Sequence, residues 1–244
     1  MKRRLFVASL SASSLVACGP VKDQLTSSLH GVLDSAQVLN HAIIGTRGYA
    51  RLYSEADINK DFRTNGLDTP SDARYADAAR DNFGAYRLPV VGLVDRPHTF
   101  TLAELRAMPL QTQITRHDCV EGWSVIGKWR GVQLATVIAM AQPQSGARYV
   151  VFCCFDKDES GTEYYESLDL HQAAHPQTLL ALDLNDKPID PDHGAPVRLR
   201  IPTQLGYKSA KWVRKIELAA AFPKTALSKG GYWEDQGYEW YGGI

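Results

Sequence analysis

A thiol, an imidazole and two carboxylates crowd into the run His117-Asp118-Cys119-Val120-Glu121, which continues through Gly122 and Trp123. A cysteine at the end of a strand, beside a glycine-containing turn, can present its sulfur into a pocket. As a thiolate it is either a nucleophile or a ligand for a soft metal. His117 stands two residues away and shares a face of a regular strand with Cys119, so a Cys–His nucleophilic pair is open to this segment. A third reading is a small buried hydrophobe. The segment alone leaves all three open. Glu121 and Trp123 follow closely enough to line the same pocket. Glu121 suits either proton transfer or a structural ion pair.

The other cysteines narrow the chemistry. The chain has four, Cys18, Cys119, Cys153 and Cys154, with no CxxC, no CxxCH for haem and no disulfide framework. Cys153 and Cys154 are neighbours in a strand-like run and point to opposite faces of it. Cys18 ends a short apolar stretch that follows Lys2, Arg3 and Arg4. Residues 1–17 read as a secretory signal, too short to span a bilayer. The signal resembles that of a bacterial lipoprotein, with Cys18 as the lipidated residue, and Arg3-Arg4-Leu5-Phe6 resembles a twin-arginine export signal. The expectation is an exported protein on the periplasmic side of a bacterial membrane, held there by a lipid anchor.

Further along, a set of motifs falls in a fixed order. Cys119-Val120-Glu121-Gly122-Trp123-Ser124 is followed by Trp129-Arg130-Gly131-Val132 and His175-Pro176-Gln177-Thr178-Leu179-Leu180. Then come His193-Gly194-Ala195-Pro196-Val197-Arg198-Leu199 and Gly206-Tyr207-Lys208-Ser209-Ala210-Lys211-Trp212. Over roughly Arg87 to Leu218 this set resembles the molybdopterin-binding domain of the sulfite oxidase family. It is nearest to the bacterial branch of periplasmic methionine-sulfoxide reductases.

The resemblance implies a molybdenum oxidoreductase carrying one pterin per Mo and transferring an oxygen atom with two electrons. Cys119 stands where the family's metal-ligating cysteine stands. Arg198 matches a cofactor-binding arginine, whose planar fork suits a phosphate. Ser209, Ala210 and Lys211 match a stretch that holds the cofactor, and Lys208 adds charge beside it. His193 occupies the place where that branch has Asn. Cys154 sits where the branch has a cofactor-contacting Thr, and a thiol bonds more weakly. Asn65 matches a cofactor-binding Asn. Cys119, Glu121 and Trp123 are the catalytic candidates. With no haem motif in the chain, the implied electron partner is a separate cytochrome or membrane haem protein. The implied substrate is a sulfoxide or similar oxide, free or protein-bound. A sulfite-type oxidase needs a cationic pocket, for which Arg116 and Arg130 are the nearby candidates. A metal-free thiol enzyme and a non-catalytic cofactor-fold lipoprotein are the rivals from other classes.

The elements that position these residues follow from local pattern. Strands are expected at Tyr86 to Val94, Gln113 to Val120, Tyr149 to Phe155, Tyr164 to Leu168, Thr178 to Leu184, Val197 to Ile201 and Lys211 to Leu218. Short helices are expected at Thr101 to Met108, where Thr101 and Glu104 form a capping box, at Val132 to Ala141 and at Leu170 to His175. Strands outnumber short helices, so the class is α+β with mixed sheets. Val21 to Asn40 has the spacing of an amphipathic helix, and residues 49–80 read as irregular structure packed on the main domain.

The expected organisation is a signal at 1–17, an anchored tether and irregular segment at 18–80, the cofactor domain at 81–223 and a Gly/aromatic segment at 224–244. That last segment packs somewhere, as a lid over the cleft or a seal on the core. Acidic and basic residues balance at 27 each, which excludes a nucleic-acid footprint.

Overall fold

The computed structural model describes residues 48–66, 69–222 and 229–244, together with Leu39. The signal at 1–17, Cys18 and, Leu39 apart, the stretch from Val21 to Asn40 lie outside the described residues. From residue 48 onward the described residues form one compact unit.

Two five-stranded sheets carry it. The first runs β2 (His98–Thr101), β1 (Arg87–Gly92), β10 (Val213–Ala219), β5 (Tyr149–Lys157), β6 (Glu163–Asp169). It is mixed, because β1 pairs parallel with β10 and the other neighbours are antiparallel. The second sheet is antiparallel in the order β3 (Leu110–Asp118), β4 (Ser124–Gln133), β7 (Leu179–Leu184), β8 (Lys187–Pro188), with β9 (Arg198–Arg200) also on β7. The helices are short: α1 (Ala73–Arg80), α2 (Leu102–Ala107), α3 (Leu134–Ala141), α4 (Leu170–Ala174) and α5 (Tyr232–Asp235). This is the α+β class that the sequence pattern indicates.

One apolar cluster joins both sheets: Leu88, Val90, Val150, Phe152 and Ile216 from the first meet Trp129, Leu180 and Leu199 from the second. Each such side chain contributes about 1.5–3 kcal/mol of burial. All six residues of β7 are buried, since it is covered on both faces. The expected capping box starts α2: Thr101 Oγ1 accepts from Glu104 N at 3.1 Å, and Glu104 Oε2 accepts from Thr101 N at 2.7 Å. Cys153 is half-buried and Cys154 wholly buried, the opposite faces that strand alternation requires.

Several elements depart from expectation, the strand β2 among them. Residues 73–80 form a helix rather than irregular structure. Its apolar face is short and made mostly of alanine, with Ala78 and Ala79 packing on the core beside the buried Tyr75, and Asp72 caps it by accepting from Arg74 N. The ten-residue β4 was not anticipated as a strand, and α3 starts at Leu134 rather than Val132. Two of β4's inward positions are Gly127 and Gly131, which carry no hydrophobic signal. A Cβ on Gly127 would lie 2.7 Å from the Phe62 ring, and one on Gly131 would run into the Leu180 backbone. Glycine lets the strand approach that closely.

Candidate cofactor and active site

The antiparallel β3–β4 pair ends at Asp118 opposite Ser124, and residues 119–123 form the hairpin tip. Cys119 N donates to Trp123 O at 2.9 Å and Gly122 N to Cys119 O at 3.0 Å. Gly122 takes a φ of +86°, which a side chain disfavours. This tight turn is what delivers Cys119 to the edge of a cavity of about 470 Å³.

Five other segments complete that cavity: Asn65-Gly66, the end of β5 and the turn after it from Asp156 to Glu159, Tyr164 on β6, the loop with Gly206-Tyr207 and Ser209 to Trp212, and Tyr232, Trp233 and Tyr238 near the C-terminus. Five of the expected residues, Asn65, Cys119, Ser209, Ala210 and Lys211, together with Glu121, therefore line one space. The C-terminal segment is both wall and seal. Tyr232, Trp233 and Tyr238 face the cavity, while Trp240 packs on Tyr149 and donates to Ser167 Oγ at 2.9 Å. It also contains the short helix α5, which its composition did not suggest.

Behind the lining lies Arg198, with no exposed surface. Strand alternation puts Arg198 on the opposite face from Val197 and Leu199, and all three are buried. Arg198 donates to His193 O at 3.1 Å and Asn65 Oδ1 at 3.0 Å, and its Nε has no partner. Lys211 Nζ donates to the same Asn65 through its backbone O, at 2.7 Å, and to Asp192 O. His193 does not reach the cavity. Its Nε2 meets Phe62 O at 2.8 Å and its Nδ1 meets Asp190 Oδ1 at 2.6 Å, so it ties the 62–65 segment to the turn before Arg198.

Arg200 is a residue that the sequence reading passed over. It lies two positions beyond Arg198 on β9, the spacing that puts two strand residues on one face. It too is wholly buried with an unpartnered Nε. Its Nη2 donates to Arg116 O at 2.5 Å and to Thr115 Oγ1 at 3.3 Å, and its Nη1 to Ser209 Oγ at 3.4 Å, all neutral oxygens. Both guanidiniums stack on Trp129, with Cζ 5.4 and 5.3 Å from the ring centroid. Among the described residues no carboxylate pairs with either. Burial pushes Arg198 down to about 10 and Arg200 to about 9. Buried cations with orphan N–H groups are costly unless an anion joins them.

Other expected residues take different places. Lys208 is fully buried, and its Nζ donates to Glu166, to Glu234 and to Ser167 O, away from the cavity. Cys154 lies in the apolar core, and burial pushes its thiol well up. Trp123 does not line the cavity; its Nε1 donates to Glu121 Oε2 at 2.8 Å and Arg63 lies over its ring. His117 is buried with both ring nitrogens unpartnered, so it makes no hydrogen bond to Cys119. Burial, with help from Arg198, Arg200 and Lys211, holds its imidazole well below the usual range. Burial also pushes the Cys119 thiol up. A nucleophilic pair needs the opposite. Arg116 pairs with Asp118 and Arg130 with Asp183, and neither lines the cavity.

Two packed sheets with one thiol at a cavity edge and two uncompensated buried arginines define a domain suited to an anionic, ligand-bringing cofactor. Residues 75–226 match the model of the oxidoreductase molybdopterin-binding domain, and the chain belongs to that family. It is 42% identical over 194 residues to a putative protein-methionine-sulfoxide reductase subunit of Azospira oryzae, covering 80% of this chain and 68% of that one. Against the protein-methionine-sulfoxide reductase catalytic subunits of Campylobacter jejuni and Ralstonia nicotianae it is 32% and 34% identical. Those matches cover 73% and 71% of this chain, and 62% and 55% of theirs. The chain thus spans between 55% and 68% of the length of these relatives. Its fold is also similar to the crystal structure of the sulfane dehydrogenase SoxCD from Paracoccus pantotrophus. That match has a TM-score of 0.50 and 23% identity over 56% of this chain and 39% of that one, and it speaks for the fold alone.

Proposed function

We propose that the chain is a molybdenum oxidoreductase that reduces a sulfoxide at a metal held by Cys119. The observation that carries this reading is the thiol of Cys119 sharing one cavity with Asn65, Ser209, Ala210 and Lys211, backed by the buried, unpaired Arg198. Among the described residues no group of three His, Cys, Asp or Glu side chains is assembled to hold a metal. A metal at Cys119 therefore needs ligands brought by the cofactor, as the dithiolene of one pterin would bring them. Arg198, Arg200 and Lys211 would hold the anionic end of that group, with Asn65 bridging Arg198 and Lys211. The bound molybdenum supplies the exchange of two electrons and an oxygen atom.

The chain's own residues then bind, orient and move protons. Reducing a sulfoxide to a sulfide and water consumes two protons and two electrons. Glu121 lines the cavity beside Cys119 and is placed to exchange those protons. The lining favours a neutral oxide over the sulfite dianion. Glu121, Asp156, Asp158 and Glu159 all border the cavity, and its two lysines are engaged: Lys157 with Asp72, and Lys211 with backbone carbonyls. Tyr164, Tyr207, Tyr232, Trp233 and Tyr238 give it an aromatic wall suited to the alkyl part of a sulfoxide. The electrons come from a separate haem partner. Cys18 is the lipid anchor on the periplasmic side; no helix among the described residues is long and apolar enough to cross a membrane.

The test is elemental analysis of protein purified from its own periplasm, beside a Cys119→Ser variant, with turnover measured on methionine sulfoxide and on sulfite. About one Mo per chain, lost in the variant, with turnover on the sulfoxide, is the expected result. Turnover unchanged without Mo would overturn the reading.

A further inference from the structure

We propose that Lys208 is a positioning residue: with Glu166 and Glu234 it latches the C-terminal aromatic wall to the loop that carries Ser209, Ala210 and Lys211. The three side chains have no exposed surface and come from three segments, the 206–208 turn, β6 and α5. Lys208 Nζ donates to Glu166 Oε1, to Glu234 Oε1 at 2.6 Å and to Ser167 O at 3.1 Å, which uses all three of its N–H groups.

Each member stands within two residues of the cavity lining. Tyr207 and Ser209 flank Lys208, Tyr232 and Trp233 precede Glu234, and Tyr164 lies two before Glu166. The same segments are tied again around the latch. Tyr164 Oη donates to Tyr207 O at 2.8 Å, Tyr207 Oη to Glu239 O at 2.6 Å, and Leu205 N to Gly242 O at 2.7 Å. Gly231 must be small here, because a Cβ would run into the Glu234 carboxylate.

An apolar plug would hold the tail by area alone, at several alignments. A buried charged triad adds little net stability but admits one register. Two carboxylates on one ammonium also leave a surplus negative charge, and Glu166 Oε2 and Glu234 Oε2 are buried without partners. Burial and the neighbouring Glu234 accordingly hold the Glu166 carboxyl well above the usual range. The triad thus closes with the Glu166 carboxyl biased toward its neutral form. Its consequence is geometric: it sets where Trp233 and Tyr238 stand relative to the Ser209–Lys211 loop.

The experiment uses the full, molybdenum-loaded chain with Lys208→Met, and with a second variant that combines Lys208→Met, Glu166→Gln and Glu234→Gln. The second strands no charge and so guards against simple failure to fold. Amide hydrogen exchange and steady-state kinetics on methionine sulfoxide are read together. In both variants, exchange at residues 229–240 is expected to rise about tenfold or more, while β5 and β10 keep their protection. KM is expected to rise about tenfold with kcat changed less than about threefold. Unchanged exchange at 229–240, a rise spread evenly over β5 and β10, or collapse of both variants would overturn the latch. So would an unchanged KM with raised exchange. The kinetic arm rests on the reading above. If the parent chain does not turn over the sulfoxide, that reading fails, and the exchange arm still decides the latch.

Discussion

A Cβ placed on Gly206 would lie 2.6 Å from Nε2 of His117. The imidazole on β3 thus occupies the space in which the 206–211 loop must turn. The loop that brings Ser209, Ala210 and Lys211 to the cavity can follow its path because residue 206 has no side chain.

Gly206→Ala is accordingly expected to push the loop off His117 and to cost about 1–3 kcal/mol, the range of overpacking in a tight core. Molybdenum retention should fall more than stability does, since the displaced loop carries the proposed cofactor contacts. Replacing His117 by Ala in the same chain frees the space. A thermodynamic cycle over the two positions should show a coupling above about 0.5 kcal/mol. Additive effects would mean that the contact does not shape the loop.

Arg198 should show opposite effects in the two forms of the protein. Without cofactor it is a buried cation with no carboxylate, so Arg198→Met is expected to raise the melting temperature of cofactor-free protein or leave it unchanged. With cofactor the same change removes the anion's partner, and Mo retention should fall about 10–100-fold. Arg198→Lys keeps the charge without the fork and should rescue only part. A cofactor-free variant much less stable than its parent would contradict the uncompensated-charge account.

Asp72 predicts a pH dependence. Its carboxylate accepts from Arg74 Nη2 at 2.6 Å, and Lys157 lies 3.3 Å away; the Arg74 bond chiefly holds it well below the usual carboxylate range. A carboxylate depressed on folding stabilises above its unfolded pKa of about 3.9 and loses that contribution as the pH falls through its folded value. Asp72→Asn keeps the N-cap of α1 and removes the charge. Because Arg74 is 56% exposed, the loss at neutral pH should be only about 1 kcal/mol. Urea midpoints of the two chains should differ above about pH 5 and converge in stronger acid. A gap that persists there would point to the cap instead.

Trp233 tests the aromatic wall. It lines the cavity, stacks on Tyr238 with centroids 5.3 Å apart, and is 38% exposed. Trp233→Ala should therefore cost less than about 1.5 kcal/mol of stability, measured by chemical denaturation. KM for methionine sulfoxide should rise about tenfold. A large fall in kcat at unchanged KM would assign the residue a different part.

Much of the scaffold was legible from local pattern. The Thr101–Glu104 capping box, the apolar runs of β5 and β7 and the opposed faces of Cys153 and Cys154 depend on a few adjacent residues. Cys119 at the end of a strand, beside a glycine-containing turn, was legible in the same way. The ordered motifs named the family. What the sequence could not supply were facts made by distant partners. Gly127 and Gly131 hid β4, since their use lies in the close approach of Phe62 and of the β7 backbone. Arg198 meets Asn65 across 133 positions, and Lys208 meets Glu234 across 26. Before folding, Lys208 was one more cation beside a phosphate-binding stretch; in the tertiary structure two buried carboxylates claim it. Propensity and capping act over single turns and can be read along the chain. Which charge faces which is decided only when both sheets close on one core.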